Sequence, residues 1–170
     1  WENFYKYNEQ GRKVEWLSNN YAIEDVSKWR YYYDDKGRNI ATDSDSTLTG
    51  PLRYEYKYDK NGNLIEESCY SKGGKLDNRS LYTYDQKGRK IKTEFIKSDH
   101  TSHGYVIYER DEQGNLLRSR EYYPQLVHVT ESKYNRYDYV ISTIYTYYFC
   151  DCRDVKVEPY QLDELEYEYY

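Results

Sequence analysis

The chain of 170 residues has no methionine, three prolines, three phenylalanines and three cysteines. Nowhere does it carry a run of about 18 apolar residues that could cross a bilayer as a helix. Cys69, Cys150 and Cys152 are odd in number and too sparse for a disulfide framework. They also lack the paired Cys-x-x-Cys spacing of a zinc site. Cys150 and Cys152 stand at i and i+2, one face of a strand, and the plain reading of all three is ordinary half-buried thiols. Basic residues are outnumbered, 25 Lys and Arg against 30 Asp and Glu, with a pI near 5.3 and no basic block. Nucleic-acid affinity rests on counterions released by clustered Lys and Arg, so that partner class is excluded. No Gly-rich phosphate loop, nucleophile elbow or Cys/His/Asn grouping is present, and the expectation is a protein that is not an enzyme and carries no cofactor.

Histidine is scarce as well. Asp99, His100 and His103 form the one metal-like cluster, but an i, i+3 pair in a loop lacks a third fixed ligand, so a solvated loop and no metal are expected. His128 stands alone. A mean hydropathy of -1.18 with 32% charged residues resembles a disordered composition, yet the net charge is only -5. What the chain has in abundance is tyrosine, 26 of them, and tyrosine supplies amphipathic area that favours strands.

Five glycines, Gly11, Gly37, Gly62, Gly88 and Gly114, follow one another at intervals of 26, 25, 26 and 26 residues. Each closes the same phrase, as in Tyr56-Lys-Tyr58-Asp59-Lys-Asn-Gly62 and Tyr82-Thr-Tyr84-Asp85-Gln-Lys-Gly88. A period of this length means stacked supersecondary units, and residues 4–120 hold five of them within one repeat domain spanning residues 1–170. Counting from each glycine as zero, aromatic residues recur at minus eight, minus six and minus four (Trp29, Tyr31, Tyr33; Tyr54, Tyr56, Tyr58), the alternation of a strand with an aromatic face. Asp34, Asp59, Asp85 and Asp111 at minus three bond the turn they open, and glycine takes the positive φ that closes it. A catalytic carboxylate is normally unique in a chain, so these recurring ones read as structural.

Val14, Ile40, Ile65, Ile91 and Leu117 follow at plus three. A four-residue loop pairs minus six with plus three and sets these aliphatics beside the tyrosines; a three-residue loop with a glycine bulge shifts the pairing and turns them over. Hydrophobic consistency favours the four-residue loop. The remainder of each period, such as Ala41 to Leu52 or Ile96 to Ser102, is expected to supply the tail of a second strand and a longer polar return loop. The fold class is therefore all-β: tandem antiparallel hairpins in a meandering, twisted open sheet or short β-solenoid. Residues 121–170 read as a degenerate sixth copy, with Tyr134, Asn135 and Arg136 in place, then Tyr137, Tyr139 and Ile141 alternating. Capping strands end in the alternation of Leu165, Tyr167 and Tyr169 against Glu164, Glu166 and Glu168.

The phrase Tyr-x-Tyr-Asp-x-x-Gly-Arg/Asn-x-Ile/Leu resembles the Rhs or YD-repeat family. It is well matched at Tyr56 to Ile65, Tyr82 to Ile91 and Tyr31 to Ile40; Asn8 replaces Asp in the first copy and Arg110 replaces Tyr in the fifth. The resemblance implies a bacterial secreted, periplasmic or cell-surface protein, with a leader upstream of Trp1. In that family long arrays spiral around a toxic C-terminal domain. This chain is too short to close such a shell and shows no toxin module, so either a free scaffold or a piece of a larger shell is implied. Likeness to MORN-type hairpins is weaker, since their Gly-rich pattern is absent. Most column tyrosines are expected to be core, with Trp16, Tyr32, Tyr122 and Tyr123 on the opposite face as an aromatic surface for a glycan or protein partner. A carbohydrate-active enzyme would need an unpaired cleft with close carboxylates.

Overall fold

In a computed structural model the chain is described at residues 1–124, 126–134, 140–149 and 159–166. Side chains are not described at residues 141, 147–149 and 159–166. Cys150, Cys152, Asn135, Arg136, Tyr137, Tyr139, Tyr167, Glu168 and Tyr169 thus lie outside what is described. The fold is all-β, an open antiparallel sheet whose strand order repeats the chain order, with no helix among the described residues.

The chain divides into two compact units, Trp1–Ser80 with Lys97–Asp99, and Leu81–Ile96 with the residues from His100 onward. The first unit holds β1 (Glu2–Tyr7), β2 (Lys13–Asn20), β3 (Asp25–Tyr33), β4 (Asn39–Ser46), β5 (Leu52–Tyr58), β6 (Leu64–Ser71) and the start of β7 (Lys75–Tyr84). The second holds the end of β7, then β8 (Lys90–Lys97) apart from its last residue, β9 (Ser102–Arg110), β10 (Leu116–Tyr123), β11 (Leu126–Tyr134), β12 (Val140–Phe149) and β13 (Pro159–Glu166). Each phrase is one hairpin. The return connections are tighter than the composition implied: after β4 only residues 47–51 intervene, and Lys72–Gly74 suffices between β6 and β7. The polar stretches after each turn are strand, because their small hydroxyl residues are sheltered by rings from neighbouring strands.

The turn geometry corrects the expected register. Asp59 donates its N–H to the Asn63 carbonyl at 2.9 Å and Gly62 donates to the Asp59 carbonyl at 3.1 Å, with Gly62 at φ 91°. The same pair of bonds recurs at the other four turns. This is a three-residue loop closed by a left-handed glycine, not a four-residue one. A second bulge follows, since Tyr58 pairs with Leu64 while Lys57 pairs with Glu66, so Ile65 is skipped. Val14, Ile40 and Leu117 are skipped likewise. Position minus six therefore pairs with plus five, as Tyr56 with Glu67 and Tyr31 with Thr42. The aliphatics are not packed beside the tyrosines; Ile40 is 41% exposed and Ile65 37%.

Tyrosine hydroxyls stitch one hairpin to the next. Tyr33 donates to the carbonyl of Lys13 at 2.7 Å, Tyr58 to that of Asn39 at 2.7 Å and Tyr134 to that of Leu116 at 2.9 Å. Tyr33 and Tyr58 stand at minus four, and in all three cases the carbonyl reached is at plus two of the preceding hairpin, beside the bulge. Arginines at plus one reinforce the tie: the Arg38 guanidinium lies 4.7 Å from the Tyr58 ring centre and Arg12 5.9 Å from that of Tyr33. Removing one such hydroxyl by Tyr58→Phe is expected to cost about 1 kcal/mol. Urea unfolding of this variant beside wild type checks the figure.

Few apolar side chains are fully buried. Among the described residues these are Ala41, Cys69, Val106 and Val129, while Ser18, Thr42, Ser44, Ser68, Thr93 and Ser119 are buried polar residues. The column tyrosines are half-buried rather than core: rings from odd-numbered strands lie over small residues of even-numbered ones. Thr42, only 3% exposed, is flanked by its cross-strand partners Tyr31 and Tyr54.

Candidate functional site

Side chains that face each other across paired strands share a face of the sheet. In the first unit this places Tyr5, Trp16, Trp29, Tyr31, Tyr54 and Tyr56 on one side, since Tyr5 pairs with Trp16 and Trp16 with Trp29. On the other side stand charges: Lys6 with Glu15, Glu15 with Arg30, Arg30 with Asp43, Asp43 with Arg53 and Lys57 with Glu66. The unit is aromatic on one face and a charge lattice on the other.

The aromatic face carries a continuous ladder. Ring centres lie 6.3 Å apart from Tyr5 to Trp16, 6.0 Å from Trp16 to Trp29 and 6.2 Å from Trp29 to Tyr54, with interplanar angles of 14°, 20° and 18°. The last step crosses a whole strand, from β3 to β5. It is possible because β4 presents Ser44 and Thr42 there, both buried and small, so the flanking rings lean together above them. Lys13 completes the surface, its Nζ 5.6 Å from the Tyr5 ring centre, 5.5 Å from Trp16 and 4.7 Å from Tyr31. The Trp16 Nε1 donates to Asn3 Oδ1 at 2.9 Å, which fixes the indole without burying it. Burial pushes the Tyr54 hydroxyl pKa up, with the Cys69 thiol beside it adding to the rise.

The four aromatics expected to form one opposite face do not do so. Trp16 belongs to the ladder. Tyr32 does lie on the charged face, donating to Asp43 Oδ2 at 2.8 Å with the Arg53 guanidinium 5.8 Å from its ring centre. In the second unit Tyr122 and Tyr123 are adjacent and so point to opposite faces. Tyr122 pairs and stacks with Tyr105 at 4.6 Å, whereas Tyr123 stacks on Phe95 at 6.5 Å. Tyr5, Trp29, Tyr54 and Lys13 were not singled out by the sequence pattern as a surface. The available signal was the run of small residues in β4, which leaves nothing to cover the rings.

The charged face is self-satisfied. Glu15 receives Lys6 and Lys28, each at 2.8 Å, and Arg53 joins Asp43 at 2.8 Å and Glu55 at 3.0 Å. Glu66 receives Lys57 at 3.0 Å. A shallow groove there, lined by Arg30, Asp43, Arg53, Glu55, Tyr70 and Lys72, is walled by these paired charges. In the second unit Arg118 bridges Glu109 and Glu131, and Arg120 also binds Glu109.

The turn aspartates sit where their hydrogen bonds place them. Asp59 Oδ1 accepts the N–H groups of Asn61 and Asn63 at 2.9 and 2.8 Å, and its Oδ2 accepts from the Asn63 side chain at 2.9 Å. Asp34 and Asp85 instead hold the guanidinium of Arg38 and Arg89 through Oδ2, each with an Nε donor at 2.7 Å. Backbone bonds from Arg38 and Arg89 hold the pKa of Asp34 and Asp85 down, and the Asn63 side chain does so for Asp59. Burial opposes the effect at Asp111, but hydrogen bonds from Asn115 and the turn backbone prevail. Glu15 is lowered to about 2, first by Lys28 and then by Lys6. All these groups are depressed in the folded chain, so the stability they contribute is complete above their unfolded values near about 4 and is lost as pH falls through the folded ones. The thermal midpoint is expected to be level in mildly acidic buffer and to fall steadily from about pH 4 to about pH 2, with a shallower fall for Glu15→Gln. A midpoint that stays level across that range would contradict the assignment.

His100 adopts a left-handed turn conformation at φ 66°, and His103 lies on β9 with its ring 5.7 Å from that of Tyr123. Among the described residues no three His, Cys, Asp or Glu side chains gather as a metal-binding group. No described helix is long and apolar enough to cross a membrane.

No family model and no curated protein matches the sequence. Solved structures do match the fold. A porin-like protein from Bacteroides uniformis aligns over 92% of this chain and 85% of its own at 11% identity, with a TM-score of 0.55. At that identity the likeness shows an all-β fold in common and nothing further. A TcdB2-TccC3 structure aligns over 82% of this chain but 9% of its own, at 15% identity and a TM-score of 0.41. A protein with unknown function from Bacteroides fragilis aligns over 98% and 92% at 11% identity, with a TM-score of 0.28. Similarity that weak adds nothing to the fold assignment.

Proposed function

We propose that this chain is a non-catalytic, exported β-repeat scaffold of a bacterial envelope, and that the ladder of Tyr5, Trp16, Trp29 and Tyr54 is its binding surface for an extended glycan. One observation carries the reading. Within the first unit four rings run side by side with no second layer of described strands over them, while the charged face has already paired its own groups. Pyranose rings present apolar C–H faces and polar rims. An aromatic strip edged by Asn3 and Lys13 offers each a partner, at little cost in side-chain freedom because stacking already holds the rings. The export half of the reading rests on the Tyr-Asp-x-x-Gly phrase and its likeness to the YD-repeat family.

The test is a panel of glycans and peptidoglycan fragments titrated into the chain, with tryptophan fluorescence as readout. Saturable change that disappears in Trp16→Ala supports the surface. Silence across the panel would remove the glycan from the account.

A further inference from the structure

The five turns share one backbone but not one charge. In the second and fourth, the aspartate at minus three holds the arginine at plus one: Arg38 meets Asp34 at 2.6 Å and Arg89 meets Asp85 at 2.7 Å. In the third and fifth, Asp59 and Asp111 accept from the neutral side chains of Asn63 and Asn115 and keep their negative charge. The first turn alone joins an arginine to a neutral residue at minus three. Asn8 Oδ1 still accepts the N–H groups of Gln10 and Arg12, at 3.1 and 2.9 Å, so the turn keeps its shape while Arg12 loses its counter-charge.

Lys13 follows directly, and both cations lie against rings instead of carboxylates. The Arg12 guanidinium is 5.9 Å from the Tyr33 ring centre, and Lys13 Nζ stands among Tyr5, Trp16 and Tyr31. Among the described residues no carboxylate comes within ion-pair distance of either, whereas Lys6, Lys28 and Lys57 on the other face each have one. Tyr31 joins the two places, since its ring carries Lys13 at 4.7 Å and it also lines a shallow groove with Asn8, Arg12 and Tyr33. Asp34 and Asp35 line that groove too, but Asp34 is held by Arg38, and Asp35 is exposed and pairs with neither cation. Two acids of the aromatic face lie apart from this corner. Asp25, at the opposite end of β3, accepts from the hydroxyls of Ser27 and Ser46, and Glu67 faces Tyr56 from β6.

We infer that the glycan of the ladder is anionic, and that Arg12 and Lys13 form the subsite for the carboxylate or sulfate its sugars carry. The inference rests on the ladder reading and names the ligand class that the rings by themselves leave open. A sugar stacked on Tyr5 and Trp16 projects its substituents past the ring edges, where Lys13 donates. The fork of Arg12 adds parallel donors that match two oxygens of one carboxylate or sulfate. Rings cover one side of both cations and keep water from it, so an oxyanion gains more there than from a fully hydrated lysine.

Three tetrasaccharides with one backbone test this: cellotetraose, its C6-oxidised uronate and its C6 sulfate, each titrated into the chain with tryptophan fluorescence as readout. The quantity read is the affinity of each charged sugar relative to cellotetraose. At least one charged sugar is expected to bind roughly tenfold more tightly than cellotetraose. Which of the two does so decides between carboxylate and sulfate, and the margin should shrink with added salt. Asn8→Asp restores the acid of the second and fourth turns, so it should capture Arg12 and cut the ratio about threefold. Arg12→Gln combined with Lys13→Gln should bring the ratio to about one. A ratio that keeps its wild-type value in the double variant overturns the proposal, as do charged sugars that bind no more tightly than cellotetraose. In either case the ladder reading stands if any neutral glycan of the wider panel binds, and it falls only with silence across that panel.

Discussion

Gly104→Ala is expected to cost about 3 kcal/mol, at the upper end for adding one methyl group to a packed site. Gly104 is buried on β9 opposite Phe95 of β8, and the rings of Phe95 and Tyr123 stack across it with an interplanar angle of 7°. A Cβ there would collide with the backbone carbonyl oxygen of Tyr122 and stand 2.8 Å from Tyr123 Cδ1. A backbone oxygen cannot swing aside as a side chain can, so β9 and β10 would have to part locally and the ring pair would lose its seat. Gly73→Ala is the control. It sits at φ 84° in open space, so only the left-handed backbone penalty of about 1–2 kcal/mol applies. Urea unfolding of the two variants beside wild type reads the difference. Equal costs would mean that the strands accommodate the methyl group and that the ring pair does not depend on glycine beneath it.

Trp29→Ala should have the second large effect, and on two quantities at once. Trp29 is the ladder's inner rung, stacked on Trp16 on one side and Tyr54 on the other, and it roofs Ser44 of β4. A fully buried aromatic truncated to alanine costs about 3–5 kcal/mol; Trp29 is half-buried, so about 2 kcal/mol is expected. Glycan affinity should fall by more than about tenfold, the mark of a central anchor. Tyr32→Ala, on the charged face, should leave that affinity within about twofold. If Tyr32→Ala proved the more damaging, the binding surface would lie on the wrong side of the sheet in this account.

The repeat and the strand order were legible in the sequence because they depend on local chemistry. Asp59 and Gly62 specify the turn whatever surrounds them, and the alternation of Tyr54, Tyr56 and Tyr58 reads directly as a strand. Register was harder. It depends on two bulges per hairpin, and the second, at Ile65, has no residue signature: an aliphatic residue at plus three suits packing beside tyrosines as well as it suits a skipped position. The expectation that aliphatics accompany the aromatic column failed for that reason. The long return loops failed because Ser44, Asp45 and Ser46 resemble loop residues, although small hydroxyl groups are what a strand between two rows of large rings can hold. The same misjudgement hid the ladder. Trp16, at plus five, falls on the tyrosine face in the expected register as in the observed one, so no register shift accounts for setting it on the opposite face, and the closeness of Trp29 to Tyr54 follows only once Ser44 is known to lie between them.

The most direct test of the two-faced scaffold as a glycan-binding surface is an NMR titration of the chain with the oligosaccharide that binds most tightly in the fluorescence panel, following ring and indole signals together with those of the charged face. The account predicts shifts at Tyr5, Trp16, Trp29 and Tyr54 that saturate together, with Arg53, Glu55 and Lys57 unmoved. Shifts confined to the charged face, or absent while fluorescence still responds, would contradict it.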